Sequence, residues 1–207
     1  MPAFLFSYGF WCSMTRSGQC YTQVMATAVL PKLMPDEAPL FRLSVDQYHS
    51  MIASGTLTPD DKVELIEGIL IQKMPKYPPH RRATEAARLA LAKAIPPGLS
   101  VQSQDPITLS DSEPEPDVAV IRGTTNDYPD RHPAAADTLL IVEVADSSLA
   151  FDRGTKLRLY ARSGIPNYWI VNLPQNVIEV HSLPQGDLYR NVVTLSRSDQ
   201  IPLTIPD

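Results

Sequence analysis

The chain has 207 residues, room for one domain with a sizeable core. Hydrophobic residues make up 43% and charged residues 20%, the balance of a globular protein that folds in water. The net charge of -5 excludes a protein that coats nucleic acid by bulk positive charge, so any such contact needs a local basic patch. Cys12 and Cys20 have no metal-ligand spacing, a disulfide scaffold is not expected, and a reducing cytoplasm is the simplest compartment.

The apolar start, MPAFLFSYGFW, is too short to span a bilayer and lacks the basic flank of a signal peptide. Residues 1–40 read as a loosely ordered extension and 41–207 as one domain. Ser44 is placed to cap a short helix through VDQYHSMIASG, with Gly55 as its stop. VELIEGILIQKM alternates apolar residues around Glu67-Gly68 and reads as a β-hairpin. MPKYPPH is a loop, and a helix with a small-residue face (Ala83, Ala87, Ala90, Leu91, Ala94) is expected from His80. SVQSQDPITLS is extended, and PDVAVIRG is a strand with Pro116 at its start. TLLIVEVAD is so continuously apolar that it reads as a central strand covered on both faces. RGTKLRLYARSG is a basic helix stopped at Gly164; NYWIVN, VIEVHSL and LYRNVVTLSR are strands. The order defines an α/β (α+β) domain, a mixed sheet flanked by helices.

Three carboxylates stand out. Asp117 opens a strand, Glu143 lies inside LLIVEVA, and Glu64 starts the hairpin. A charge within so apolar a strand is costly unless it is paired, hydrogen-bonded or bound to a metal. Glu143 therefore either faces solvent or belongs to a site. Two carboxylates on neighbouring strands suit Mg²⁺, which keeps several waters and needs few protein ligands. Such an ion acidifies water and stabilises charge on phosphate. If Asp117 and Glu143 bind it, removing either one relieves repulsion and costs no stability without metal. Arg153, Lys156, Arg158 and Arg162 make the following helix the most basic in the chain, which is a solvated face or a source of cations for that site. No HExxH, Gly-rich phosphate loop or GxSxG elbow occurs, which argues against zinc, nucleotide-loop and serine-hydrolase chemistry. His80 is a site candidate or a water-contacting helix start.

VELIEG, the PPH before a helix, EPEPDVAV and LLIVEVADSSLAFDRGTKLRLYARSGIPNYWIVN together resemble the Uma-two family (domain of unknown function 820), over about Phe41 to Leu183. The resemblance implies a restriction-endonuclease-like PD-(D/E)XK fold. It also implies a DNA endonuclease using Mg²⁺ or Mn²⁺. Asp117 and Glu143 would be the metal ligands, with Glu64 and Lys156 completing the catalytic set. In the (D/E)-X-K pattern the lysine would fall at Ala145; here Lys156 on the next helix takes its place. Arg81, Arg82 and Lys93, with the basic helix, could supply a local patch for DNA. The alternative is a catalytically silent nuclease fold that binds nucleic acid or regulates. A third reading is an α/β protein that pairs a sheet edge with a second copy as a homodimer. No membrane partner is expected.

Overall fold

The computed structural model describes residues 12–14, 20–22, 39–196, 198–201 and 203. The expected extension therefore lies mostly outside the described residues. Within it, β1 (Cys12–Met14) and β2 (Cys20–Thr22) pair antiparallel. Phe41–Asp207 form a separate unit.

That unit begins with α1 (Val45–Ala53). Ser44 accepts from the Gln47 amide while the Gln47 side chain accepts from the Ser44 amide, a reciprocal cap that satisfies two orphan helix donors. The hairpin follows as β3 (Val63–Ile66) and β4 (Ile69–Gln72). Its two-residue turn holds Glu67 at φ 50 and Gly68 at φ 74, the doubly left-handed backbone of a tight hairpin. Gly68 is also required by space, since a Cβ there would lie 2.6 Å from the Cβ of Arg42.

The six-stranded sheet runs β10-β9-β8-β7-β6-β5. Its strands are β5 (Leu99–Gln102), β6 (Val118–Arg122), β7 (Thr138–Ala145), β8 (Asn167–Asn172), β9 (Val177–Gln185) and β10 (Leu188–Leu195). Neighbours are antiparallel except β7 and β8, which are parallel. A parallel pair needs a crossover, and a helix supplies it. That helix, α3, starts with Leu149–Phe151, widens into a π-helical Asp152–Lys156 and continues as Leu157–Arg162. The mixed α/β class expected from the sequence is the one observed.

Helix α2 (Pro78–Ala94) starts two residues before the expected His80, because prolines at its first positions lack only amides that would go unbonded anyway. Strand β5 is shorter than the extended run expected; beyond Gln102 the chain leaves the sheet to bond with the Pro114–Pro116 turn.

The β7 strand is buried along its whole length. Leu140 and Val142 pack with Leu91 of α2 on one face. Ile141 and Ala145 pack with Leu159 and Tyr160 of α3 on the other. The two-residue period of a strand puts Glu143 on this second face, between Ile141 and Ala145. On the neighbouring strand Val118 pairs with Val142, so Asp117, one step earlier, stands opposite Glu143.

Candidate active site

A cleft of about 340 Å³ opens where β6 and β7 meet the hairpin and the start of α3. Glu64, Asp117, Glu143 and Lys156 all line it, so the four residues singled out in the sequence lie in one place. All four are buried.

Asp117 is held from several sides. Its Oδ2 accepts from the Val144 amide at 2.9 Å and lies 3.1 Å from His80 Nε2. Its Oδ1 accepts from Lys76 Nζ at 3.0 Å. Glu143 Oε1 accepts from both Lys156 Nζ and the Tyr160 hydroxyl, each at 2.8 Å. The other oxygen of Glu143 is 3.4 Å from the Asp117 amide. Lys156 Nζ also lies 3.5 Å from Glu64 Oε1. Glu64 in turn accepts from the Glu115 amide at 3.0 Å. Ala145, where the (D/E)-X-K pattern would put a lysine, is fully buried, and Lys156 reaches Glu143 from α3.

Three participants went unread in the sequence. Lys76 sits in what reads as a proline loop. Tyr160 falls within the stretch read as a basic helix and was not singled out; its place four residues after Lys156, on the same helix face, is the available signal. Asp152, also buried, accepts from Ser148 at 2.6 Å and lines the cleft. It lies in the π-helical turn, where the widened spiral also carries Lys156; such turns are frequent at functional sites. His80, read as a site candidate or a water-contacting helix start, lines the cleft and contacts Asp117.

The electrostatics separate the two central carboxylates. Burial would push Asp117 up, but His80, Lys76 and the Val144 amide outweigh it, and its carboxyl lies below the ordinary value of 3.8. Burial pushes Glu143 up, Lys156 pulls it back, and Asp117 and Asp152 push it up again, to about 8. Asp152 is likewise raised, first by burial and then by Asp117 and Glu64, against Ser148 and Lys156. Burial would lower Lys156, yet Glu143 and Glu64 hold its ammonium charged, above its ordinary value. Removing either carboxylate therefore does not have one common effect: Glu143 carries an uncompensated cost, first of burial and then of repulsion, whereas Asp117 is stabilised by its partners.

Among the described residues, no three His, Cys, Asp or Glu side chains already converge as a metal cage. The donor set nevertheless fits Mg²⁺ or Mn²⁺. Asp117 and Glu143 are adjacent hard-oxygen donors, and Mg²⁺ asks for one or two carboxylates beside water. Burial first, and neighbouring carboxylates second, raise Glu143 and Asp152, so an added cation beside them would offset that cost. Lys76, about a third exposed, supplies such charge at one oxygen of Asp117.

A mixed sheet with a carboxylate-lined cleft beside its crossover helix is the arrangement expected of the restriction-endonuclease-like class. A crystal structure from Anabaena variabilis, described as "a putative nuclease belonging to DUF820", has this fold. It is 16% identical, with a TM-score of 0.60 over 78% of this chain and 89% of that one. The Uma2 family model, described as "Putative restriction endonuclease", matches residues 45–206, and the chain belongs to that family. No curated protein matches it. Among the described residues no helix is long and apolar enough to cross a membrane.

Proposed function

We propose that the chain is a metal-dependent endonuclease that hydrolyses DNA phosphodiester bonds, with Asp117 and Glu143 holding Mg²⁺ or Mn²⁺ and Glu64 and Lys156 completing the catalytic set. The observation that carries this reading is the gathering of four buried carboxylates, Glu64, Asp117, Glu143 and Asp152, around one buried ammonium in an open cleft. So much buried negative charge is expensive without further cations. When bound, the divalent ion supplies charge neutralisation at a phosphate oxygen and a more acidic water.

The chain's own residues do the rest. His80 and the Val144 amide fix Asp117. Tyr160 fixes Glu143. Glu143 and Glu64 keep Lys156 protonated and aimed into the cleft, where its ammonium orients the attacking water or meets the negative charge that grows on phosphorus. Water adds to phosphorus and gives up a proton to solvent, the bond to the leaving oxygen breaks, and that oxygen takes up a proton from solvent.

A silent nucleic-acid-binding module is the second reading. It is favoured by the Lys76 ion pair, which fills one oxygen of Asp117. Calorimetric titration of Mg²⁺ and Mn²⁺ into the protein and into Asp117→Ala, beside a plasmid-nicking assay, separates the two. Binding and nicking that are both lost on substitution support the endonuclease. Binding without nicking supports the silent module, and no binding overturns the metal site. We further read 1–40 as an extension of the 41–207 domain. A homodimer would form through β10, the sheet edge on which Leu188, Val192 and Val193 are exposed.

A further inference from the structure

We infer that a groove beside the cleft holds the phosphates next to the scissile one, and that the preferred substrate is a DNA strand with unpaired bases. This rests on the nuclease reading and deepens it.

The groove, of about 690 Å³, lies between the first half of α2 and the loop after β5; Arg81, Arg82, Thr84, Ser103 and Gln104 are among its lining residues. It shares a wall with the cleft. Thr84 Oγ1 is 3.4 Å from His80 Nδ1, and His80 Nε2 is 3.1 Å from Asp117. The Ser103 hydroxyl donates to the Asp117 carbonyl at 2.8 Å. Gln104 is pinned at φ 61, an uncommon backbone for a residue with a side chain, by its amide's bond to the Pro116 carbonyl at 3.1 Å. A strand leaving the cleft past His80 enters this groove.

Arg81 and Arg82 are exposed, and among the described residues their guanidinium groups make no ion pair or side-chain hydrogen bond. The cations around the cleft are otherwise engaged. Lys73 pairs with Glu115, Lys76 with Asp117, and Lys156 with Glu143 and Glu64. Arg153 pairs with Glu179 and Arg162 with Glu67. Two free guanidinium groups match two phosphates. That is a small electrostatic footprint for a duplex, and the net charge of -5 makes a broader one unfavourable.

A short footprint needs another source of affinity, and the rim provides one. Tyr77 is 61% exposed and Met74 54% exposed, both lining the cleft mouth. An exposed ring beside a phosphate track is a stacking platform, and only an unpaired base offers its face. Tyr77 caps α2 and Arg81 follows one turn later on the same side, its amide bonded to the Tyr77 carbonyl at 3.2 Å. Stacked base and adjoining phosphate thus fall on one helix face.

The test is fluorescence anisotropy with the full chain, Ca²⁺ in place of Mg²⁺, and an end-labelled single-stranded DNA oligonucleotide or its duplex. The single strand is expected to bind more tightly. Arg81→Ala with Arg82→Ala should lower the slope of log affinity against log salt by about 1.4, at about 0.7 per lost phosphate contact, and the double lysine variant should restore it. Tyr77→Ala should weaken single-strand binding about tenfold and leave that slope unchanged. An unchanged slope in the arginine variant, tighter binding of the duplex, or no binding of either overturns the inference. Metal titration and plasmid nicking distinguish the two failures. If both are normal in the unsubstituted protein and in the arginine variant, only this inference falls. If the unsubstituted protein binds no metal and nicks nothing, the nuclease reading falls with it.

Discussion

Replacing Glu143 with glutamine keeps an oxygen for Tyr160 and Lys156, each 2.8 Å from Oε1, and removes the charge. The folded protein raises this carboxyl from 4.5 to about 8. The folded state therefore binds more protons than the unfolded one between those values, and the native carboxyl costs stability progressively as pH rises through that window. At about 1.4 kcal/mol per decade, the displacement from 4.5 to about 8 sets an upper limit of about 5 kcal/mol. Loss of the ion pair with Lys156 opposes the gain, although Glu64 at 3.5 Å still balances the ammonium. The expected outcome is that Glu143→Gln, without divalent metal, is about 1–3 kcal/mol more stable near pH 8 and unchanged near pH 4. Urea unfolding across that range measures it. A variant less stable than the native protein near pH 8, or a gain that shrinks as pH rises, would refute the electrostatic argument.

Lys156→Met should be destabilising by about 3 kcal/mol near pH 9, where Glu143 is ionised, because it strips the cation from two buried carboxylates; urea unfolding reads it, and a change under about 0.5 kcal/mol would contradict the buried pairing. Asp117→Asn should lose metal binding and flatten the acid limb of stability. Its carboxyl is lowered below 3.8, so its contribution is present above that value and lost as pH falls through the folded one. Acid titration followed by circular dichroism should show a native protein that unfolds more steeply with acid than the variant. Lys76→Met should tighten Mn²⁺ binding by about threefold to tenfold in calorimetry, since it frees the Asp117 oxygen now 3.0 Å from the ammonium.

The framework of the site is legible in the sequence where one rule governs. Glu143 stands out because a continuous apolar run with one carboxylate admits few explanations, and the two-residue period then fixes which face it joins. Asp117 is marked by the turn that feeds the neighbouring strand. Their contact required a register, with Val118 opposite Val142, that no local pattern specifies. Lys156 reaches Glu143 through a π-helical turn, which DRGTK does not announce. Asp152 was hidden for the same reason: in sequence it reads as one more charge on a polar stretch. The Lys76 and His80 contacts depend on how the Pro-rich loop folds into the start of α2, a tertiary outcome. The start of α2 at Pro78 was legible in principle, since proline favours the first helical turn.

The central claim, that Asp117 and Glu143 share a divalent ion, is tested most directly by titrating Mg²⁺ and Mn²⁺ calorimetrically into the native protein and into Asp117→Ala, with plasmid nicking followed in the same preparations. Saturable binding and metal-dependent nicking in the native protein, both lost in the variant, are the results expected. Absence of binding in the native protein, or binding and nicking that survive the substitution, would contradict it.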